Sequence, residues 1–392
     1  MLKYAEIYAP AEDSQLLLDS LKEFLDEKEN LKVLEVGVGS GYISLNLAKQ
    51  FKNKYFATDI NPKAIEVTKE NFEKENLKIN LKQGNFTQPF KEEKFDLIFF
   101  NTPYLPCETG EKFEDLTLKD KAIYGGKRGC ETTCDFIFQI NDSLEENGVV
   151  FLLYSSLSSP KDIEQQLKRQ GFEFKIVNTK AVFFEDLIVI KAWKSEILKK
   201  ISKHANQICY LEKGKHSINF KANYKGKTVV IKTGKPQHID VEAHFLKKLE
   251  KENFAPKLYY KKDGFVIREF FEGEQIKDWI KKASKEELIE VFQKVCDICF
   301  RLDELGINKD EMTNPYKHIF IEKNGEVKMI DYERCLFSDN PKNLTQFLEY
   351  LKRVFREKGL EIREERLYEF AKDYKDKKKR KQFKIKDFLS KN

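Results

Sequence analysis

Long apolar runs are missing from this 392-residue sequence. The longest, Val149–Tyr154 and Leu187–Ile190, fall far short of the roughly 20 residues that span a bilayer, so no transmembrane helix is predicted. The first six residues, Met1 to Glu6, also lack the apolar run and small-residue cleavage site of a signal peptide. We therefore expect no membrane association.

Cysteine is sparse and follows no pairing pattern. The seven cysteines are an odd number scattered over a long chain, which argues against a disulfide framework and is typical of reduced thiols in the cytosol. Cys296 and Cys299 fall on an apolar helical pattern, so burial is favoured over a metal or redox role. The sequence has no evident internal repeat. A cytoplasmic location is expected.

A general excess of one charge is also lacking. The formal net charge is +6, but residues 371–392 alone hold ten Lys and Arg against three Asp and Glu, so the rest of the chain is nearly neutral. A basic pI is therefore weak evidence that the whole protein binds nucleic acid. Three roles are open for this basic tail: a solvated helix end, an anchor for an acidic partner, or a contact with RNA.

Hydrophobic residues make up 41% of the chain, enough for sizeable cores, and its length predicts two domains. From residue 31 to about 193, short apolar runs alternate with amphipathic stretches, which predicts a doubly wound parallel sheet. After Trp193 the pattern changes to a meander of strands, one helix and a largely helical region. We predict domains at residues 1–194 and 195–360, and a basic helical tail at 361–392.

A glycine-rich loop follows the first predicted strand. Gly37, Gly39 and Gly41 stand between that strand and a helix, where they permit a tight turn and close approach of a ligand to the backbone. Such a loop alone also suits a nicotinamide cofactor or simple strand–helix packing. Asp59 closes the next strand, where a carboxylate can bind ribose hydroxyls.

A second carboxylate, Glu35, lies at the edge of the glycine loop. A pyrophosphate gains little from a carboxylate beside it. S-adenosylmethionine carries no phosphate and has two cationic groups, a sulfonium and an ammonium. The pair of Glu35 and Asp59 therefore favours S-adenosylmethionine over a dinucleotide.

The fourth strand ends in Asn101-Thr102-Pro103-Tyr104. Ligands of open α/β sheets bind outside the carboxyl ends of strands, so these residues should face the same crevice as the glycine loop. An Asn oxygen and a backbone carbonyl can accept both hydrogens of a planar NH₂ group, and a Tyr ring can stack on its plane. We predict these four residues as the catalytic site of a methyl transfer to an amide or exocyclic amine.

Residues 1–193 resemble the HemK-type class I methyltransferases, in particular the archaeal and eukaryotic branch that acts on class-1 translation release factors. The motifs that carry the resemblance are Tyr8–Ser14, Glu35–Gly41, Thr58–Pro62, Asn101–Pro106 and Gly125–Glu131. The resemblance implies a Rossmann-like fold, S-adenosylmethionine as cofactor and a glutamine in a Gly-Gly-Gln loop as acceptor. It also implies that Asn101 and the Thr102 carbonyl hold the amide, that Tyr104 lines the pocket, and that a small zinc-binding activator protein is a partner.

Three positions depart from the family pattern. Thr102 replaces a usual Pro, Asn85 stands where an Asp usually contacts the adenine amine, and Cys134 replaces an Asp. Thr102 keeps its carbonyl and Asn85 keeps an acceptor, so both stay among the predicted site residues. An adenine or guanine amine in RNA or DNA is the alternative acceptor, because the same Asn-x-Pro-aromatic motif serves it. The near-neutral charge of the first 370 residues argues against that alternative.

The C-terminal half shows a second pattern. A turn within Gly214–Ala222 precedes a strand that ends at Lys232, and Glu242 follows ten residues later on a predicted helix. This order is typical of kinases, and Asp331 resembles their metal-binding Asp. Residues 205–350 resemble the archaeal predicted serine/threonine kinases related to the RIO and Bud-type group, which implies an α+β bilobal kinase-like domain that binds ATP and Mg²⁺.

The catalytic loop departs from the kinase pattern. Asp310 or Glu311 stands in place of the catalytic base, and His318 replaces a metal-binding Asn. Because His is a poor Mg²⁺ ligand, ATP binding is favoured over phosphotransfer. A protein kinase as the main activity, a pseudokinase and a docking domain all remain open. The predicted ATP site comprises Lys232, Glu242, Glu311 and Asp331, with Asp331 as the Mg²⁺ ligand.

Overall fold

The computed structural model describes residues 7–107, 116–214, 217–376 and 380–389. Parts of three predictions lie outside these residues: the N-terminal segment Met1 to Glu6, the Lys215-His216 portion of the predicted turn, and Lys377 to Lys379 of the tail.

The chain divides into two compact units. One comprises Met1–Tyr210 with Ala222–Lys227, and the other comprises Leu211–Lys221 with Thr228–Asn392. Across the described ranges, no helix combines the length and the apolarity needed to cross a membrane. All seven cysteines are free thiols.

The N-terminal unit is built on a seven-stranded sheet with strand order β3-β2-β1-β4-β7-β9-β8. Its elements in chain order are α1 (Glu12–Leu25), β1 (Lys32–Val36), α2 (Tyr42–Gln50), β2 (Lys54–Asp59), α3 (Pro62–Lys74), β3 (Asn80–Gln83), β4 (Phe95–Asn101), β5 (Leu105–Pro106), β6 (Tyr124–Gly126), α4 (Glu131–Ser143), β7 (Leu144–Ser155), α5 (Pro160–Arg169), β8 (Phe172–Val182), β9 (Glu185–Lys194) and α6 (Glu196–Ser202).

Five of the seven strands run parallel, as the alternation of strands and helices predicts. Strands β3, β2, β1, β4 and β7 pair in parallel, whereas β9 pairs antiparallel with both β7 and β8. The expectation of a wholly parallel sheet is therefore wrong at this edge. Only two residues separate β8 from β9, and a connection that short permits only antiparallel pairing.

Local signals in the sequence explain why the helices beside the crevice start where they do. The Asn61 side chain accepts a hydrogen bond from the Lys63 N–H, and Pro62 occupies the first turn of α3. Apolar faces of α1 and α2 pack on β1, β4 and β7, with Leu17, Leu21, Leu47 and Phe99 fully buried. This packing holds the carboxyl ends of β1, β2 and β4 along one edge of the sheet.

The elements after α6 form a five-stranded sheet, with strand order β10-β11-β12-β14-β13, and a set of helices. They are β10 (Asn206–Lys213), β11 (Ser217–Tyr224), β12 (Lys227–Gly234), α7 (Pro236–Lys248), β13 (Leu258–Lys262), β14 (Phe265–Glu269), β15 (Gly273–Gln275), α8 (Ile276–Lys282), α9 (Lys285–Glu304), β16 (Ile307–Asn308), β17 (Ile319–Glu322), β18 (Val327–Met329), β19 (Leu336–Phe337), α10 (Asn343–Glu357) and α11 (Glu364–Tyr374). This order of elements matches the predicted meander, helix and helical region.

The described part of the basic tail packs into the core of the C-terminal unit. Phe370, Tyr374, Phe383 and Ile385 are buried there, and the Arg380 side chain donates to the Tyr374 carbonyl and to Asn340. An RNA contact by the tail stays a prediction, and it concerns the lysines that this packing leaves exposed.

Candidate active site

A cavity of about 380 Å³ lies at the carboxyl ends of β1, β2 and β4. Of the residues predicted for the cofactor and the acceptor, all but Gly41 line it. They are Glu35, Gly37, Gly39, Asp59, Asn85, Asn101, Thr102, Pro103 and Tyr104. The structure thus brings one set of side chains from four separate stretches of sequence to one cavity.

The glycine loop needs glycine for two different reasons. All three predicted glycines have positive φ, in the region that L side chains rarely adopt. A Cβ on Gly37 would stand 2.8 Å from the Phe100 ring, and one on Gly41 would stand 2.7 Å from the Thr68 side chain. Gly41 therefore permits packing of α3 against the loop, which explains why it does not line the cavity.

Asp59 is fixed by backbone groups of the two loops around it. The Gly39 N–H donates to Oδ2 at 2.9 Å, and the Asn61 N–H donates to Oδ1 at 2.8 Å. Burial raises the pKa of Asp59, and these N–H groups partly oppose the rise. Each carboxylate oxygen retains a lone pair for a hydroxyl donor in the cavity.

Glu35 is buried, with 4% of its surface exposed. Its Oε2 accepts the Ser44 N–H at 3.1 Å, at the N-terminus of α2. Burial raises the pKa of Glu35 to about 8, although the hydrogen bonds from Ser44 act in the opposite direction. A carboxyl group with this pKa ionises readily only when a cation comes close to it.

The polar atoms of Asn101 lie in different environments. Its Nδ2 donates to Oδ2 of Asp13 at 2.9 Å. Its Oδ1 is buried and accepts no hydrogen bond from any described residue. A buried acceptor without a partner costs free energy, so its presence beside a cavity indicates a ligand donor.

Thr102 and Pro103 form a rigid continuation of β4. The Thr102 N–H and hydroxyl both donate to the Leu153 carbonyl of β7, at 3.2 and 2.8 Å. Gly125 approaches this loop so closely that a Cβ would stand 2.2 Å from the Pro103 carbonyl oxygen. The second glycine-rich motif therefore holds the backbone of the acceptor loop in place.

Tyr104 completes the wall of the cavity beside Tyr8. The Tyr8 hydroxyl donates to Oδ2 of Asp13 at 2.8 Å. Burial, followed by the Asp13 carboxylate, raises the pKa of both phenols well above their usual range. Both Tyr side chains therefore remain neutral at physiological pH.

Sequence reasoning included Asp13 and Tyr8 in a motif but assigned them no role. An acidic residue in the first turn of a helix is ordinarily interpreted as a partner of the helix dipole. Only the fold shows that Asp13, which is 3% exposed, lies against a residue 88 positions later. The sequence shows that Tyr8 and Asp13 are close along the chain, but it does not show which later residue Asp13 contacts.

These residues fit S-adenosylmethionine. Asp59 offers acceptors for ribose hydroxyls, Asn85 lines the cavity and is exposed there, and Glu35 offers a carboxyl whose ionisation a cation would favour. Gly37 and Gly39 line the cavity, and a Cβ on either of them would reduce the space for a ligand. The cavity volume also lies within the range of small-molecule sites.

A separate cluster of charges lies in the C-terminal unit. The Lys232 ammonium, which is buried, lies 2.6 Å from Glu242, 2.8 Å from Asp331 and 3.0 Å from Glu333. Burial alone would lower the pKa of Lys232, but these three carboxylates raise it well above its usual range. Arg268, whose Nε is 3.5 Å from Glu242, adds a second buried cation.

Two residues of this cluster have strained backbones. Asp331 and Glu311 both have positive φ, at 67° and 72°, and such strain tends to concentrate at functional sites. Burial is the main cause that lowers the pKa of His318 to about 4, so its imidazole is neutral. The His318 Nε2 lies 3.4 Å from Asp331 and 3.5 Å from Glu311.

The predicted ATP site is therefore assembled in part. Lys232, Glu242 and Asp331 are in direct contact, and Glu311 joins them through His318, while its own carboxylate pairs with Arg334. The open space beside the cluster is only about 10 Å³.

A metal at this cluster would have oxygen ligands available. Glu242, Asp331 and Glu333 each offer an oxygen within 4.8 Å of the others. The Lys232 ammonium already binds all three, so a divalent ion would have to compete with it. Sequence reasoning missed Glu333 and also Lys309, a buried lysine that donates to the Asp331 carbonyl.

Comparison with known proteins bears on the N-terminal unit. Residues 11–117 match the Methyltransferase small domain family. A "Putative protein N5-glutamine methyltransferase" of Methanocaldococcus jannaschii is 41% identical over 191 residues, which are 49% of this chain and 93% of that protein. The release factor glutamine methyltransferase of Aquifex aeolicus is 29% identical over 192 residues, which are 48% of this chain and 68% of that protein.

A solved structure of the E. cuniculi Mtq2-Trm112 complex, described as responsible for methylation of the eRF1 translation termination factor, is also similar. It is 27% identical, and the match covers 48% of this chain and 99% of that chain, with a TM-score of 0.39. The archaeal relative is matched over nearly its whole length at 41% identity. Through its N-terminal half, the chain belongs to the HemK-type methyltransferases.

Proposed function

We propose that the N-terminal unit transfers a methyl group from S-adenosylmethionine to the side-chain amide nitrogen of a glutamine in a class-1 translation release factor. The unpartnered Oδ1 of Asn101 carries the proposal. Because Asp13 accepts from Nδ2, the amide is held with its acceptor free for an N–H donor. The two relatives above, whose names specify glutamine and release factor, support the same substrate class.

In the proposed complex, Oδ1 of Asn101 accepts one hydrogen of the glutamine amide and the Thr102 carbonyl accepts the other. Tyr104 packs against the amide plane and excludes water. S-adenosylmethionine supplies the electrophilic methyl carbon, with the sulfur as leaving group. The role of the chain is to orient the amide nitrogen toward that carbon and to stabilise the positive charge that develops on the NH₂ group.

The proton needs no base from the protein. The amide nitrogen becomes cationic and strongly acidic as the new N–C bond forms, and it then releases its proton to water. Tyr8 and Tyr104 are poor proton acceptors because burial raises the pKa of both phenols and keeps them neutral, and a neutral phenol is a weak base. Their function in this proposal is to shape the cavity and to hold Asp13.

Label transfer from S-adenosylmethionine tests the proposal. Full-length release factor and total RNA are incubated separately with the protein, and we expect label in the factor, at the glutamine of its Gly-Gly-Gln loop. Asn101→Ala should reduce transfer at least about 100-fold while cofactor binding is retained, and Asn80→Ala, at an exposed position of β3, should change neither. Label in RNA and not in the factor would show that the acceptor is a nucleobase amine.

The resemblance to the release-factor branch also leads us to propose a small zinc-binding activator protein as a partner. We expect the activator to raise methylation of the factor when it is added to the purified chain. Equal rates with and without it, at saturating concentrations, would remove this partner from the proposal.

For the C-terminal unit we propose a kinase-like site that binds ATP with Mg²⁺. The buried contact of Lys232 with Glu242 and Asp331 is the specific observation in its favour, because this pairing positions phosphates in kinases. The small open space implies that the ion cluster must open to admit a nucleotide. We expect ATP with Mg²⁺ to raise the thermal stability of the wild type and not of Asp331→Ala. No shift with the wild type would exclude the site.

A further inference from the structure

The turn between β8 and β9 exposes two aromatic side chains. Val182 pairs with Glu185, so Phe183 and Phe184 alone form the turn. Their exposed fractions are 98% and 96%, the highest among the large apolar side chains described. We name these two residues the hairpin tip.

The backbone of the hairpin tip is unsuited to phenylalanine. Phe183 has φ of 44°, in the left-handed region. Where the first residue of a two-residue hairpin turn has positive φ, glycine is favoured there and a bulky residue is strained. The chain thus combines local strain with two aromatic rings that bury almost no surface. Such an outlier points to a function for the rings.

The hairpin tip is linked by contacts to the acceptor side of the cavity. Three residues before the tip, Lys180 Nζ lies 3.5 Å from Glu12, the neighbour in sequence of Asp13. One residue after it, the Glu185 carboxylate is close enough to Tyr104 to raise the pKa of that phenol, after the larger effects of burial and Asp13. One arm of the hairpin therefore lies beside the sequence neighbour of Asp13, and the other lies near Tyr104; Asp13 and Tyr104 both line the cavity.

The position of the hairpin beside the acceptor side of the cavity indicates which molecule the hairpin tip binds. We propose that the hairpin tip is a docking site for the folded protein whose glutamine enters the cavity, with Phe183 and Phe184 buried against an apolar patch of that protein beside its glutamine loop. The inference rests on the proposed methylation of a protein. The tip suits a protein surface better than a phosphate backbone because the two residues that follow it, Glu185 and Asp186, are acidic. Aromatic anchors contribute strongly to protein interfaces.

The test replaces the hairpin tip by the turn sequence that its backbone prefers. The double substitution Phe183→Gly with Phe184→Asn removes both rings and relieves the strain at the position with positive φ, so the fold should be kept or stabilised. We expect KM for full-length release factor to rise at least about tenfold, with kcat within twofold. With a short synthetic peptide that carries the Gly-Gly-Gln loop, which is too small to reach the tip, kcat/KM should stay within twofold. Phe138→Asn, at a half-exposed phenylalanine on α4, is the matched control and should leave both substrates unaffected.

Other outcomes overturn the inference in distinguishable ways. If the wild type methylates the factor and the double variant does so with the same KM, the hairpin tip has no docking role and the proposed function stands. A wild type that methylates neither factor nor peptide removes the proposed function itself, and the inference with it. If sedimentation shows that the double variant dissociates a wild-type dimer while KM is unchanged, a second copy of the chain occupies the tip instead.

Discussion

At the scale of single residues, the neighbours of Asn101 fix the orientation of its side-chain amide. The group has a donor end and an acceptor end, and the Asp13 carboxylate can bind only the donor end. Oδ1 is therefore left as the acceptor in the cavity. An Asn with a neutral neighbour could rotate and present the wrong end to a substrate amide.

The first prediction concerns this orientation. Asp13→Asn keeps the size of the side chain but introduces donors that can satisfy Oδ1 of Asn101 and thus remove the acceptor. We expect kcat for protein methylation to fall about 100-fold or more, with the Kd for S-adenosylmethionine unchanged within twofold. Calorimetric titration and steady-state kinetics measure the two quantities. Asp19→Asn, at an exposed position of the same helix, is the control, and an equal loss in both variants would contradict a positioning role for Asp13.

A second prediction follows from Glu35. Its pKa of about 8 in the free protein means that a bound cation must displace a proton from it below that pH. The affinity for S-adenosylmethionine should therefore increase as pH rises toward 8, by up to about tenfold per unit, and level off above it. Glu35→Gln cannot ionise, so its affinity should be lower at pH 8 and much flatter between pH 6 and 8. Identical pH profiles for the two proteins would show that Glu35 does not bind the cofactor as a carboxylate.

Sequence patterns identified nine of the residues that line the cavity, because their types and their positions at the ends of strands carry the chemistry. Glu35, Asp59 and Asn101 each follow or close a strand. The role of Asp13 was not accessible in the same way, since it depends on a contact across 88 positions of sequence. Lys309 is a similar case, because nothing in a pattern of neighbours distinguishes a buried lysine from a solvated one.

At the scale of elements, the acceptor loop depends on glycines outside it. Strand β6 pairs with β5, and Gly125 within β6 lies against the backbone of the loop. Because of this close approach, the position of β6 determines where Pro103, and therefore Thr102, can lie. The second glycine motif is thus part of the site without touching the substrate.

The third prediction tests that support. In Gly125→Ala the new Cβ would stand 2.2 Å from the Pro103 carbonyl oxygen and 2.3 Å from that of Gly129, so the backbone must move. We expect methylation to fall more than about tenfold, while cofactor affinity changes little because the glycine loop is untouched. Gly226→Asn serves as the control, because a Cβ there meets no described atom within 4 Å and asparagine tolerates the positive φ of 80° at this position. Full activity of Gly125→Ala would mean that the acceptor loop tolerates displacement.

The elements that sequence predicted well are those with strong periodicity. Buried strands such as β1 and β4 read as short apolar runs, and α3 has a capping Asn and a Pro at its start. Strand β8 was not predicted because polar residues interrupt its apolar ones, and only Phe172 among its residues is buried. Its strand conformation comes from pairing with β9, a tertiary effect that local sequence does not encode. The two phenylalanines of the hairpin tip added to the difficulty, since they do not resemble turn residues.

At the scale of the whole molecule, each unit has its own hydrophobic core. The N-terminal core contains Leu17, Leu21 and Phe99, while Phe292, Phe347 and Tyr350 lie at the centre of the C-terminal core. Separate cores of this size are expected to unfold as separate cooperative transitions. The candidate methyltransferase site and the charged cluster of Lys232 should then respond independently to ligand and to mutation.

The last prediction uses this separation. Lys232→Met leaves the buried carboxylate of Glu242 and the partly buried carboxylates of Asp331 and Glu333 without their shared ammonium. This loss should cost about 3–5 kcal/mol and lower one calorimetric transition by an amount on the order of 10 °C. S-adenosylhomocysteine should raise the other transition equally in wild type and variant. Lys261→Met is the control: Lys261 lies in the same sheet as Lys232 and forms an exposed ion pair with Asp240. Its loss should shift neither transition appreciably. A variant that melts like the wild type would show that the three carboxylates take up protons when Lys232 is lost, so that the cluster does not depend on its lysine.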